Sequence, residues 1–138
     1  MEKVTIFTSG LSQGNPGPAA IGVCVVDAKS KILGEISESI GNATDDYAAY
    51  FAAIKGLQLT VDLFGEKTTD MEFELRLDNK VVKEQINSEC QITHPGLVPY
   101  FVEIHNLRVS HFPRLRRLYV LSKNNKKAGD LVSKVLDA

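Results

Sequence analysis

Residues 7–18 read Phe-Thr-Ser-Gly-Leu-Ser-Gln-Gly-Asn-Pro-Gly-Pro, and this stretch decides the fold of the chain. A short apolar segment, Val4–Phe7, leads into it and predicts a strand. The second half is dominated by glycine and proline, the residues that tight turns require. The stretch therefore predicts a strand that runs into a sharply turned loop.

Two more strands are predicted after this loop. Ala19–Asp27 is rich in valine and isoleucine, and Lys31–Ile40 alternates polar with apolar residues. The residues between them, 27–30, suit a hairpin connection. The first part of the chain is therefore expected to be a three-stranded antiparallel meander.

The pattern then changes to that of a helix. Thr44 is a good N-cap, and Asp45 and Asp46 lie in the first turn, where the helix dipole favours negative charge. Apolar residues recur at helical spacing to about Leu63, and Gly65 fits the helix end.

The second half alternates strands with helices. Strands are predicted at Met71–Leu77 and Leu115–Leu121, and helices at Asn79–Ile86 with Asp78 as cap, from Pro95 to about Val109, and at Lys126–Leu136. Three strands in sequence, then helix–strand–helix–strand–helix, predict parallel strands joined to the meander by crossover helices. We predict one α/β domain, residues 1–138, with a mixed five-stranded sheet flanked by helices.

The composition is that of a globular domain. The 138 residues are 43% hydrophobic and 24% charged, with a net charge of -1. No apolar run is long enough to cross a bilayer, and the strand-like start at Met1 predicts no signal peptide. Cys24 and Cys90 have no metal-binding or redox spacing and are predicted to be buried. These features predict a cytoplasmic protein without a membrane partner.

Basic residues are concentrated late in the chain. Between residues 108 and 127 there is no acidic residue, and the seven basic ones are Arg108, Arg114, Arg116, Arg117, Lys123, Lys126 and Lys127. Such a stretch is either a solvated face or a phosphate-binding surface.

Four segments, in order, resemble the ribonuclease H family. In that family the first strand ends in Thr-Asp-Gly, and the loop after it ends in Gly-Asn-Pro-Gly-Pro, as residues 14–18 do here. Residues 43–57 are similar to the family's Thr-Asn-Asn helix, 73–86 to the strand ending in Gly-Asp-Ser with the helix after it, and 122–132 to Arg-x-x-Asn-x-x-Ala-Asp-x-Leu-Ala. His94-Pro-Gly-Leu is similar to a loop of the bacterial members. The resemblance implies a ribonuclease H-like fold over nearly the whole chain.

The resemblance also locates the catalytic positions. The family holds two magnesium ions on Asp, Glu, Asp and Asp, and these positions fall on Ser9, Ala49, Asp78 and Gly129. Only Asp78 is retained, and the cap of the following helix is an alternative role for it.

Neighbouring acids are poor substitutes. Asp130 is turned about 100° from Gly129 on the same helix. Asp45 and Asp46, one turn before Ala49, are weak metal-ligand candidates beside Asp78. No conventional metal site and no cofactor is therefore predicted; Mg²⁺ or Mn²⁺ is needed only if the chain is an atypical active nuclease.

The resemblance implies a nucleic-acid interface as well. The positions implied to contact an RNA–DNA hybrid, together with nearby lysines, are Gly14, Asn15, Pro16, Gly17, Thr44, Asn125, Lys123, Lys126 and Lys127. Asp45 and Asp46 replace two asparagines of the family and would repel phosphates. The loop is alternatively retained only because its turns need glycine and proline.

We interpret the sequence as a ribonuclease H-like pseudoenzyme that binds nucleic acid weakly or binds a protein partner. An active hybrid ribonuclease that uses Asp78 with Asp45 or Asp46 is the alternative, and a pure scaffold domain is the third. Fold alone does not choose among them.

Overall fold

The computed structural model describes residues 3–138, which form a five-stranded sheet in the order β3-β2-β1-β4-β5. Met1 and Glu2, where the predicted strand-like start begins, lie outside the described residues. The strands are β1 Lys3–Ser12, β2 Gly17–Val26, β3 Ile32–Ala43, β4 Glu72–Leu77 and β5 Leu115–Tyr119. The helices are α1 Asp45–Phe64, α2 Lys80–Ile86, α3 Val98–His111 and α4 Lys126–Leu136, and short 3₁₀ turns cover Gly65–Asp70, Pro95–Leu97 and Ser122–Asn124.

The topology confirms the predicted fold class. β1, β2 and β3 pair antiparallel, whereas β4 pairs parallel to β1 and β5 parallel to β4. In the β1–β4 register Thr8 pairs with Leu77, so both strands reach the same edge of the sheet. The residues that follow this pair are therefore neighbours.

The strand ends differ from the prediction. β1 continues to Ser12, because Ser9, Gly10 and Leu11 still pair with β2. The apolar run ends at Phe7, but backbone pairing does not require apolar side chains. The start of α1 is as predicted, since Thr44 Oγ1 accepts a hydrogen bond from the Tyr47 amide at 3.2 Å.

The sheet is covered unequally. The main core lies between one sheet face and α1–α3; it includes Tyr50, and Phe73 packs edge-to-face on Phe112 with ring centroids 5.1 Å apart. On the other face α4 covers a smaller cluster that includes Cys24. The prediction that both cysteines are buried is wrong for Cys90, which is exposed in the segment between α2 and the turn Pro95–Leu97.

Two glycines allow helices to lie directly on the sheet. A Cβ atom placed on Gly10 would be 2.2 Å from the carbonyl carbon and oxygen of Ala48 in α1. A Cβ atom on Gly22 would be 2.2 Å from the carbonyl oxygen of Ala128 in α4. Both helices therefore approach the sheet backbone where only glycine leaves room.

A buried carboxylate lies in β4, on the sheet face opposite the main core. Glu74, whose side chain is 3% exposed, pairs with Lys3 at 2.7 Å and Arg76 at 2.8 Å, and Arg116 lies at 3.7 Å. Burial alone would raise the pKa of Glu74, but the hydrogen bonds from Lys3 and Arg76 outweigh it and lower the pKa below its ordinary value. A carboxylate with a lowered pKa stabilises the fold above its unfolded pKa, and this contribution is lost as the pH falls through the folded value.

Glu74→Gln should therefore destabilise the protein at neutral pH by about 1–3 kcal/mol, because Lys3 and Arg76 lose their anionic partner and can donate only to a neutral amide oxygen. Chemical denaturation as a function of pH measures the effect, and the difference from wild type should close as Glu74 is protonated in acid. Glu72→Gln, the same change at an exposed position of β4, is the control and should stay within about 0.5 kcal/mol. Equal losses in the two variants would contradict the prediction.

None of the helices within residues 3–138 has the length and apolar character needed to cross a membrane.

Candidate functional site

Ser9 and Asp78 lie side by side at one edge of the sheet. Each directly follows a member of the Thr8–Leu77 pair on adjacent parallel strands. Ser9 is 2% exposed, and its Oγ makes no hydrogen bond of good geometry within residues 3–138. Two of the four positions implied by the resemblance are thus brought together by strand pairing alone.

The other two positions are brought in by the helices. The Cβ atom that Gly10 lacks would lie 2.6 Å from the Ala49 amide nitrogen, so Ala49 borders the end of β1. Ser9 pairs with Gly22, which contacts Ala128, the residue before Gly129. The structure therefore places all four positions around residues 9 and 10 of β1, with Ala49 on the α1 face of the sheet and Gly129 on the α4 face, and only one of the four carries a carboxylate.

The carboxylate of Asp78 is held by the side-chain amide of Asn125, the residue before α4. Asn125 Nδ2 donates to Asp78 Oδ2 at 3.0 Å and to the Thr8 carbonyl oxygen at 2.9 Å. Burial raises the pKa of Asp78, and the hydrogen bond from the Asn125 amide partly offsets the rise. The site therefore holds a carboxylate whose charged form is disfavoured.

Two predicted roles at this site are corrected by the contacts. The cap of α2 is Asn79, whose Oδ1 accepts from the Val82 amide at 3.0 Å, so the prediction that Asp78 is the cap is wrong. Asn125 is completely buried and donates to Asp78, so its side chain is not exposed for the predicted contact with nucleic acid. It is instead a positioning residue for Asp78, and no spacing in the sequence signals that role.

Asp78→Asn should stabilise the protein at neutral pH. A carboxyl with a raised pKa penalises the folded state once it is ionised, so the penalty appears as the pH rises through its unfolded and folded pKa values. Asparagine can still accept the Asn125 hydrogen bond and carries no charge. Denaturation at several pH values should show a gain near neutrality that vanishes in acid; a loss of stability at neutral pH would contradict the prediction.

The side chains at the site do not fit the two-metal centre that the family implies. Asp45 Oδ1 accepts from the Ser12 amide at 2.8 Å and from Ser12 Oγ at 3.0 Å, and Asp46 Oδ1 accepts from Asn79 Nδ2 at 2.8 Å. Asp130 is exposed. In residues 3–138 no group of three or more His, Cys, Asp or Glu side chains is placed to hold a metal ion.

The glycine- and proline-rich loop is fixed to the start of α1. Asn15 Oδ1 accepts from the Asp45 amide at 2.9 Å, and the Gln13 amide donates to the Pro18 carbonyl at 2.7 Å. A Cβ atom on Gly17 would lie 1.9 Å from the Gln13 carbonyl oxygen, so a larger residue does not fit. Gly14 has a φ of 90°, which favours glycine.

A groove of about 440 Å³ begins beside this loop. Tyr47 and Tyr100 line it with ring centroids 4.9 Å apart, and the Tyr100 hydroxyl donates to the Tyr47 hydroxyl at 3.2 Å. That hydrogen bond, more than burial, raises the pKa of Tyr100. The other polar residues of the groove are Asn15, Asn42, Thr44, Asp46 and His94.

The sequence predicted Asn15 and Thr44 as contacts of nucleic acid and Asp46 as a neighbouring acid, and the His94 segment was family-like. It did not indicate Asn42, Tyr47 or Tyr100, which belong to different elements with no common spacing.

The basic stretch is divided by the fold. Lys123, Lys126 and Lys127 are exposed, and Lys127 lines a depression with Arg76 and Asp27 on the α4 side of the sheet. Arg108 and Arg117 line a different depression, and Arg114 and Arg116 line a third, so the stretch does not form one continuous phosphate-binding surface.

The sequence and the structure are similar to known proteins over the whole domain. The family model described as reverse transcriptase-like matches residues 7–135. The "Bifunctional protein Rv2228c" of Mycobacterium tuberculosis is 35% identical over 137 residues, which are 99% of this chain and 36% of that protein. The chain thus spans about a third of that relative's length.

Two solved structures are similar throughout. LC11-RNase H1, isolated from compost by a metagenomic approach, superposes with a TM-score of 0.92 at 35% identity, covering 99% of this chain and 97% of that one. The same ribonuclease in complex with an RNA/DNA hybrid gives a TM-score of 0.91 at 34% identity, covering 97% and 96% of the two chains.

Proposed function

The chain belongs to the ribonuclease H family, as a reverse transcriptase-like domain, and from this premise we propose that it binds RNA–DNA hybrids without cutting them by two-metal hydrolysis. The observation that carries the proposal is the convergence of the four catalytic positions with a single carboxylate among them, Asp78. Two-metal hydrolysis needs several hard, charged oxygen ligands around each pair of ions. Ser9, Ala49 and Gly129 supply none.

The proposed binding surface is the loop of residues 14–18, the start of α1 and the adjoining groove. The hydrogen bond between Asn15 and the Asp45 amide fixes the loop before any ligand arrives. Backbone groups, hydroxyls and amides contact phosphates and sugars in such interfaces, and 2′-hydroxyls distinguish RNA from DNA. The similar ribonuclease in complex with an RNA/DNA hybrid supports hybrid as the ligand.

The charges on this surface make the proposed binding weak. Asp45 and Asp46 are hydrogen-bonded to Ser12 and Asn79, but they keep their negative charge next to the proposed path of a phosphate backbone. Lys123 and Lys126 are exposed and offer attraction. We expect a dissociation constant of about 10⁻⁶–10⁻⁴ M, as in non-specific binding, with a shallow salt dependence.

Asp45→Asn with Asp46→Asn should strengthen hybrid binding about tenfold, because repulsion is removed while the amide oxygens can still accept from Ser12 and Asn79. Lys126→Ala with Lys127→Ala should weaken it and reduce the salt slope by up to about 0.9 for each phosphate that the lysines no longer neutralise. Fluorescence anisotropy with labelled hybrid, duplex DNA and duplex RNA measures both.

The matched control is Lys67→Ala with Arg114→Ala. Both residues are exposed and lie where β4 and β5 begin, at the end of these strands opposite Asp78, so their loss changes the net charge equally and should leave affinity almost unchanged. If neither test pair alters the affinity for any nucleic acid at low salt, the binding proposal fails and a protein-interaction or scaffold role is the better account.

An atypical hybrid ribonuclease is the second candidate. Asn79 hydrogen-bonds to Asp46 and directly follows Asp78, which draws the two acids toward the same edge. This candidate requires that Mg²⁺ or Mn²⁺ support hybrid cleavage by the wild-type chain and that Asp46→Asn and Asp78→Asn each abolish it.

A further inference from the structure

A cationic pocket lies away from Asp78, beside the edge strand β5. A pocket of about 220 Å³ lies between the last turn of α3 and β5, lined by His105, Arg108, Val109, Phe112, Pro113 and Arg117. β5 begins opposite Phe73, near the start of β4, whereas Asp78 follows the end of β4. The pocket is therefore separate from the proposed hybrid surface.

The two guanidinium groups in this pocket form no ion pair with a carboxylate of residues 3–138. Burial lowers the pKa of Arg108, and burial together with repulsion from Arg108 lowers the pKa of Arg117. Partly buried cations without an anion are costly, so the pair favours an anionic ligand.

The two arginines differ in the hydrogen bonds that their side chains make to the protein. Arg117 Nε donates to Asn87 Oδ1 at 2.6 Å, and its Nη1 donates to the Leu115 carbonyl at 2.8 Å, which fixes the side chain. Arg108 Nε is buried and has no hydrogen-bond partner in the part of the chain that the structure describes. A held guanidinium beside one with an unused, desolvated donor is suited to an oxyanion that takes several hydrogen bonds.

We propose that this pocket binds a phosphate dianion, free or as the terminal group of a small phosphomonoester, between Arg108 and Arg117. Two guanidiniums balance the two charges of the dianion, and their planar forks match phosphate oxygens. Val109, Phe112 and Pro113 form apolar walls that can contact the carbon skeleton of an ester.

The test compares wild type with Arg108→Met and with Arg116→Met. The second variant loses the same charge, but Arg116 has a side chain that is 70% exposed and lies near Glu74 on the opposite sheet face. Calorimetric titration with inorganic phosphate and with adenosine 5′-monophosphate, at constant ionic strength in chloride, measures affinity; thermal unfolding with and without phosphate measures stability.

We expect binding by wild type and Arg116→Met, and affinity at least about tenfold lower in Arg108→Met. Without phosphate, Arg108→Met should be as stable as wild type or more so, because an uncompensated charge is removed. Tighter binding of the monophosphate than of phosphate identifies an ester as the ligand, and the reverse identifies the free anion.

Two results would overturn the proposal. One is no phosphate binding by wild type. The other is a phosphate affinity of Arg108→Met equal to that of wild type, with lower stability in chloride, which would show that Arg108 serves only the end of α3. If Arg108→Met does not fold, an NMR titration of the wild-type protein tests the proposal instead. Phosphate should then shift the Nε–H signal of Arg108, and an unchanged signal would overturn the proposal. Hybrid affinity, measured in parallel, should not change with Arg108→Met. The phosphate proposal and the hybrid-binding proposal can therefore be contradicted separately.

Discussion

Metal-dependent cleavage of an RNA–DNA hybrid should be absent from the wild-type chain and should appear in the variant Ser9→Asp/Ala49→Glu/Gly129→Asp. The three changes place carboxylates beside Asp78 at positions that strand pairing and helix docking already bring together. Metal ions contribute several kcal/mol of transition-state stabilisation, and each 1.36 kcal/mol is a factor of ten in rate. We therefore expect cleavage about 10²-fold or more above background.

The three positions do not accept the change equally. A Cβ atom on Gly129 meets nothing within 4 Å, so an aspartate has room there. Ala49 is only 4% exposed and packs in the main core, so a glutamate must extend out of it. Clustered carboxylates repel one another without metal, and the variant should be less stable until Mg²⁺ or Mn²⁺ is added.

Calorimetric metal titration and gel-resolved cleavage of labelled hybrid test this result. The matched control adds Asp78→Asn to the triple variant and should remove both metal binding and cleavage. A folded triple variant that binds no metal would contradict the convergence of the four positions. Wild-type cleavage that disappears on Asp78→Asn would overturn the proposed loss of two-metal catalysis and favour the atypical nuclease.

Gly10→Ala should destabilise the protein by about 3 kcal/mol, the upper end for overpacking, whereas Gly129→Ala should stabilise it by about 0.5–1 kcal/mol. The methyl group on residue 10 would overlap the Ala48 backbone, which cannot rotate away as a side chain can. The methyl group on residue 129 enters open space within α4, where alanine favours the helix more than glycine does. The same substitution thus has opposite effects at two positions near the site.

Denaturant unfolding measures the free energies of both glycine variants, and thermal unfolding gives a second measure. For a domain of this length, a loss of about 3 kcal/mol lowers the thermal midpoint by roughly 6–12 °C. Because Gly10 lets α1 pack directly on β1 beside Ala49, its replacement should move the start of α1 and weaken hybrid binding, whereas Gly129→Ala should not. A Gly10→Ala variant as stable as wild type would show that α1 can shift away from the sheet at little cost.

The order and type of the strands and helices followed from the sequence because each element carries its own signals. Thr44 predicted the start of α1, and Gly65, with a φ of 57°, predicted its end. Strand ends were harder to predict, because the pairing of Ser9 to Ser12 with β2 depends on the partner strand and not on their own side chains.

The candidate site was predictable only as a set of positions. The family resemblance located Ser9, Ala49, Asp78 and Gly129, but it did not show what surrounds them. That Asn125 is buried against Asp78, and that Asn79 caps α2, depend on contacts between residues far apart in sequence or on local geometry. The Arg108–Arg117 pocket gave no sequence signal beyond a general excess of basic residues, since burial decides which of these charges lack a partner.

The hydrogen bond from the Asp45 amide to Asn15 has a kinetic consequence. A loop that is already held in place needs no slow rearrangement when a ligand arrives, so association should proceed at the roughly 10⁵–10⁷ M⁻¹s⁻¹ typical of preformed surfaces. With affinities of about 10⁻⁶–10⁻⁴ M, the complexes would then last from about milliseconds to seconds. With the proposed affinity, the domain would bind each hybrid only briefly. A longer-lived complex would then require additional binding by neighbouring domains or by several copies of this domain.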